Sequence, residues 1–197
     1  MQGFRLWVAV LAVTLIAGCT PAHVRPKLAV IAEGERFPAI NLYINTGDFV
    51  TAEHAQLIRY LGGSIRESGR FARVDVGMLR WPFTLQVTYN WERRESVGTF
   101  AAGMASAATL LIVPAPIVEA HTYKFELSLG TEVIRVFEYE DPTKSSVSLF
   151  SFGKLQSERQ RGIDRIIQQF FSDLESSGAL PLEKDVAGKK AAANVAT

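Results

Sequence analysis

Apolar and polar residues alternate most regularly over Phe83 to Glu92. Phe83, Leu85, Val87, Tyr89 and Trp91 fall on one side of an extended chain, and Thr84, Gln86, Thr88, Asn90 and Glu92 on the other. His121 to Leu129 repeats the pattern with Tyr123, Phe125, Leu127 and Leu129. Gly130-Thr131 then turns the chain back into a strand over Glu132 to Tyr139. Ala39 to Asn45 predicts a strand with Ile40, Leu42 and Ile44 on one face. Phe71 to Val76 predicts another, Val147 to Phe152 a short one, and Leu28 to Ile31 at most an edge strand.

Two segments carry a helical period instead. From a Thr51 N-cap, Leu57, Leu61 and Ile65 recur at i, i+4 and i+8, and Gly69 supplies the stop. Gly62-Gly63 inside that helix predicts a close approach of its backbone to a sheet. After Ser157, Ile163, Ile166, Ile167, Phe170, Phe171 and Leu174 form a second apolar stripe that Gly178 ends. Strands with one polar face and two amphipathic helices predict an α+β fold. The expected form is a two-layer sandwich, a mostly antiparallel sheet with both helices on one face.

One segment fits neither period. Ser96 to Val118 holds no charge over 23 residues, long enough to cross a bilayer. Its strongly apolar residues cluster in Leu110 to Val113, and Gly, Ala, Ser and Thr make up most of the rest, so insertion as a single span would be marginal. A spanning helix would also split the flanking strands between two compartments. A membrane- or partner-facing helix or hairpin is a second reading. Gly98 and Gly103 would then let another backbone come close, Leu110 and Leu111 would supply apolar contact, and Pro114 would fix the exit. The default is a short Ala/Gly crossover packed on its own domain.

The N-terminal stretch MQGFRLWVAVLAVTLIAGC has one early cation, Arg5, and an apolar run from Leu6 to Ile16 that is too short to span a bilayer. It ends in Ile16-Ala17-Gly18-Cys19, which resembles the lipobox of bacterial lipoprotein signal peptides. The resemblance implies removal of residues 1–18 after Gly18 and acylation of Cys19, the only cysteine of the chain. Two or more acyl chains, such as palmitate, would make the anchoring stable. Thr20, where an Asp commonly retains enterobacterial lipoproteins in the inner membrane, favours the periplasmic face of the outer membrane. Residues 19–38 then read as acylated Cys and tether, with Pro21 and Pro26 keeping the tether extended. Residues 39–182 read as the domain, with 96–118 as its apolar insert, and 183–197 as a disordered tail.

TLLIVPAP followed by HTYKFELSLG and VFEYED resembles a group of small uncharacterised bacterial envelope lipoproteins over roughly the second half of the chain. The order of elements is also similar to the small domain of penicillin-binding-protein activator lipoproteins and of the curli-secretion lipoprotein. That likeness implies a fold and no activity.

Charge adds exclusions. The chain has 21 basic and 20 acidic residues, and losing Arg5 with the signal makes the mature chain neutral. Nucleic acid is therefore not an expected partner. His23, His54 and His121 lack the spacing of a metal helix, so no metal and no cofactor are expected. Glu138, Glu140 and Asp141 read as a solvated strand end, and Arg159, Arg161 and Arg165 as a solvated helix face. No catalytic triad, nucleophile elbow or phosphate loop is present. The expected function is non-enzymatic, an outer-membrane-anchored lipoprotein that binds another envelope component. The alternative is an oligomeric pore or secretion-channel subunit that uses 96–118.

Overall fold

The computed structural model describes residues 31–32, 35–46, 52–109, 112–148, 151 and 154–185. Eight elements follow in order: β1 (Ile40–Asn45), α1 (Ala52–Glu67), β2 (Val74–Val76), β3 (Phe83–Arg93), α2 (Val97–Ala108), β4 (Ala115–Leu129), β5 (Glu132–Val147) and α3 (Lys154–Ser177). The strands form one sheet in the order β2-β1-β3-β4-β5.

The three long strands are antiparallel neighbours. A two-residue connection joins β4 to β5. The Gly130 N–H, just past the end of β4, donates to Pro82 O, just before the start of β3, at 2.9 Å. β1 runs parallel to both its neighbours, with Ile40 opposite Val74 on one side and Phe83 on the other. The α1 crossover allows this, because a parallel pair needs a long connection and a helix provides it. The architecture is thus the expected α+β sandwich, its antiparallel part carried by the longest strands.

By contact density the chain divides into two units. One takes in the described residues among 31–91, 121–141 and 162–185, and it holds the hydrophobic core. Leu57, Leu61 and Ile65 of α1 and Ile163, Ile166, Phe170 and Leu174 of α3 are buried there with Leu42, Leu85, Val87, Phe125 and Leu127 of the sheet. Tyr60 of α1 donates to Asp164 of α3 at 2.9 Å, which places both helices on the same side. A Cβ on Gly62 would meet Ile44 Cδ1 at 3.0 Å, the close helix-to-sheet approach expected of the Gly62-Gly63 pair. Gly69 and Gly178, at φ +66° and +59°, take the left-handed conformation that stops each helix.

Phe170 is the centre of the aromatic packing. Its ring stacks on Phe125 at 4.4 Å between centroids, and Phe137 and Phe171 close around it. α3 comes so near β5 that a Cβ on Gly162 would collide with Asp141 Oδ2. Glycine there lets Asp141 stay beside the helix and accept from Arg165 Nη2 at 2.7 Å.

Several boundaries differ from expectation. Only Val74–Val76 of the 71–76 segment is a regular strand, while Phe71 forms an isolated bridge with Phe37. β5 continues through Pro142 to Val147, because an edge strand tolerates a residue with no N–H to donate. A separate strand over Val147 to Phe152 does not follow among the described residues of that stretch. α3 starts at Lys154, so Ser157 is no N-cap, and its hydroxyl donates back to Lys154 O. Glu183 to Asp185 form a helical turn, and the Glu183 N–H donates to Arg36 O at 2.8 Å. Gly18, Cys19, His23, Thr51, Leu110 and Leu111 lie outside the described residues.

Candidate functional site

The other unit takes in residues 92–120 and 142–161. Its distinctive element is α2, inside the uncharged segment. Ser96 caps it, accepting from the Thr99 N–H at 3.1 Å, and Thr99 Oγ1 accepts from the Ser96 N–H at 2.7 Å. This reciprocal cap starts the helix without a charge at either end. Beyond Ala108 the chain folds back: Ser106 Oγ donates to Val113 O at 2.6 Å, and Thr109 Oγ1 accepts from the Val113 N–H at 3.2 Å. Pro114 then stands exposed immediately before β4.

Ser106 is the buried residue of α2. Val97, Phe100 and Met104, at i, i+3 and i+7, are 88%, 65% and 61% exposed, and Ile112 and Val113 are also exposed. One face of α2 is therefore open to solvent, while Ser106 is buried on another. Gly103 has nothing within 4 Å of where a Cβ would point, so its smallness is not used by the packing of this chain. At about 18 Å, twelve residues are too short to cross a bilayer. No helix among the described residues is long and apolar enough to do so.

A cleft of about 170 Å³ lies along α2. Thr99, Phe100, Gly103 and Met104 form one wall, Ala115, Pro116 and Val118 another, and Arg93, Arg94 and Glu95 the rim. Each rim arginine has a carboxylate at 3.6 Å, Arg93 to Glu95 and Arg94 to Glu92, so the charges balance locally. A small apolar floor under a balanced rim suits contact with an apolar side chain.

Beside this element sits a buried ion pair that the sequence reading missed. Arg159 Nε and Nη2 donate to Glu119 Oε2 and Oε1 at 2.8 and 2.7 Å, and both side chains are 5% exposed. The expected solvated face of α3 holds for Arg161 and Arg165, which are exposed and bond Glu158 at 2.8 Å and Asp141 at 2.7 Å, and is corrected at Arg159, which is buried. The expected solvated acidic corner is corrected too, because Asp141 is buried, with Glu138 and Glu140 left exposed.

In the core unit several polar groups pair with one another. Tyr139 donates to Asp173 at 2.8 Å, and burial together with that carboxylate pushes its phenol well above the usual tyrosine range. Tyr89 and His121 Nδ1 lie 2.8 Å apart, and His54 stacks on Trp91 at 4.4 Å. Among the described residues no cluster of three or more His, Cys, Asp or Glu is placed to hold a metal ion.

Asn41 was not singled out by the alternation, which points it to the open face of β1. It is fully buried. Its Nδ2 donates to Trp81 O, Phe83 O and Thr84 Oγ1 at 2.7, 3.1 and 3.2 Å, and its Oδ1 accepts from the Arg80 and Trp81 N–H groups at 2.8 and 3.1 Å. One side chain thus fixes the whole connection between β2 and β3. Asn41→Ala is expected to lower stability by about 2–3 kcal/mol, because it orphans several backbone groups at once. Urea unfolding checks this, and a loss under about 1 kcal/mol would mean that water replaces the amide.

No protein-family model matches the chain, and no curated protein matches it in sequence. Solved structures do. A Helicobacter pylori protein described as a homolog of the neuraminyllactose-binding hemagglutinin aligns with TM-score 0.52 at 8% identity, over 87% of this chain and all of that one. A minor lipoprotein of Acinetobacter baumannii aligns with TM-score 0.43 at 13% identity, over 73% of this chain and 96% of its own. Rare lipoprotein B of Shewanella oneidensis aligns with TM-score 0.39 at 14% identity, over 69% and 97%. At such identities the first of these likenesses speaks for the fold, and for nothing beyond it.

Proposed function

We propose that this chain is a non-enzymatic lipoprotein of the bacterial envelope, held by acyl chains on Cys19 to the periplasmic face of the outer membrane, and that it binds another envelope protein through α2. The carrying observation is the exposed, uncharged face of Val97, Phe100 and Met104 beside its cleft. A contiguous apolar face with satisfied caps and an unused Gly103 is costly to leave in water and fits a protein partner. Support for the anchor is the Ile16-Ala17-Gly18-Cys19 motif alone.

The anchor has a direct test. Cys19→Ala is expected to abolish incorporation of an alkyne-tagged fatty acid and to leave the precursor uncleaved. Labelling that persists would refute acylation at this residue. The partner surface is tested in intact cells by placing a photoreactive amino acid at Phe100 or Met104. The reading predicts a discrete heavier species absent when the same group replaces the exposed Gln56 of α1. Adducts at multiples of the chain's own mass would favour the oligomeric alternative, and no adduct from either position would sink the surface.

A further inference from the structure

The connection between β2 and β3 carries a second exposed apolar feature, in the core unit and unlike α2 in shape. Five residues in a row, Val76 to Arg80, are exposed. Leu79 is 81% exposed and Met78 51%. The five form a short connection outside any helix or strand beyond Val76. It is also held rigid. The Gly77 N–H donates to Leu42 O at 3.1 Å, and Asn41 binds the Arg80 and Trp81 backbone just beyond it. Behind the tip, Trp81 Nε1 donates to Asp75 at 2.9 Å, and Arg73 Nε bonds the same carboxylate at 3.0 Å while its guanidinium lies over the Trp81 ring. Clamped this way, Met78 and Leu79 are kept from folding back onto their own core.

The charges around the tip choose its occupant. Arg73 and Arg80 face one carboxylate, Asp75, leaving a cationic surplus directly behind the apolar side chains. An apolar tip backed by cations matches the layering of a lipid surface, hydrocarbon beneath anionic phosphate. A protein groove would instead call for a shaped counterpart, and two adjacent unbranched or γ-branched side chains on a short connection impose little shape. We infer that Met78 and Leu79 insert into the hydrocarbon edge of an anionic lipid surface, with Arg80 at the phosphates. The contact is separate from the α2 surface and does not require an acyl group on Cys19.

The test uses the full chain reconstituted into phosphatidylcholine vesicles, with or without phosphatidylglycerol, and a benzophenone amino acid in place of Leu79. Irradiation is expected to yield lipid adducts by mass spectrometry, more with phosphatidylglycerol than without and fewer after Arg80→Glu. The same group in place of Gln56 of α1, which is also exposed, measures adducts from anchoring alone. Adducts at Leu79 no more abundant than at Gln56 would overturn the inference, as would a covalent dimer formed instead. Equal yields with and without phosphatidylglycerol would overturn the anionic requirement and with it the proposal as stated.

Discussion

Arg159→Met is expected to lower the unfolding free energy by about 3–5 kcal/mol, the loss typical when one partner of a buried ion pair is removed. The methionine keeps most of the stem and the volume, so little of the loss comes from packing. The cost arises because Glu119, only 5% exposed, keeps its carboxylate without the two guanidinium donors that now satisfy it. Glu119→Leu should do comparable damage by taking the carboxylate away from a buried guanidinium. The double variant, Glu119→Leu with Arg159→Met, should recover most of the stability, since replacing both charges removes the desolvation cost along with the attraction. Equilibrium urea unfolding of the four proteins gives the cycle. If Arg159→Met alone costs under about 1 kcal/mol, water reaches the carboxylate and the pair is not truly buried.

The second large effect belongs to the core. Phe170→Ala should cost about 3–5 kcal/mol, the range for deleting a fully buried aromatic ring. Phe170 is completely enclosed, and Phe125, Phe137 and Phe171 all use its ring as a surface. The cavity would open where α3 meets the sheet, and those rings cannot all move to fill it without leaving their rotamers. The same unfolding measurement reads it. Phe100→Ala on α2 is the informative contrast, expected within about 0.5 kcal/mol of the parent because the ring already faces water. A large loss from Phe100→Ala would mean that α2 packs on its own chain, and the proposed binding face would go with it.

The two amphipathic helices and the long strands were legible because burial there follows the side-chain period. Leu57, Leu61 and Ile65 on one helix, and Phe83 to Glu92 on one strand, repeat without interruption. What failed to show was polar burial. Asn41 falls on the open side of an Ile-Asn-Leu strand, and only the loop arriving from Arg80 and Trp81 encloses it. Glu119 and Arg159 are 40 residues apart, and nothing local marks either one as buried. Arg159 read as part of a solvated basic face because its neighbours Arg161 and Arg165 carry the same charge.

The last strand was expected over Glu132 to Tyr139, whereas the edge position of β5 lets it run on through Pro142 to Val147. Within the uncharged segment, length suggested more than composition could support. The twelve residues of α2 account for the small-residue run, and Ala115 already belongs to β4. Of the candidate surface residues, Gly98 and Gly103 fall in α2 and Pro114 just before β4, while the exposed Val97, Phe100 and Met104 were not among those singled out.

The placement of Pro142 also bears on colloidal behaviour. β5 is a sixteen-residue outer strand whose Val133, Ile134 and Val136 are exposed. Such a rim is a template on which a stray chain could extend the sheet and seed fibrils. A proline partway along interrupts the ladder that a newcomer would need, and Glu138 and Glu140 add like charge just before it. The rim is therefore self-limiting toward the addition of further strands.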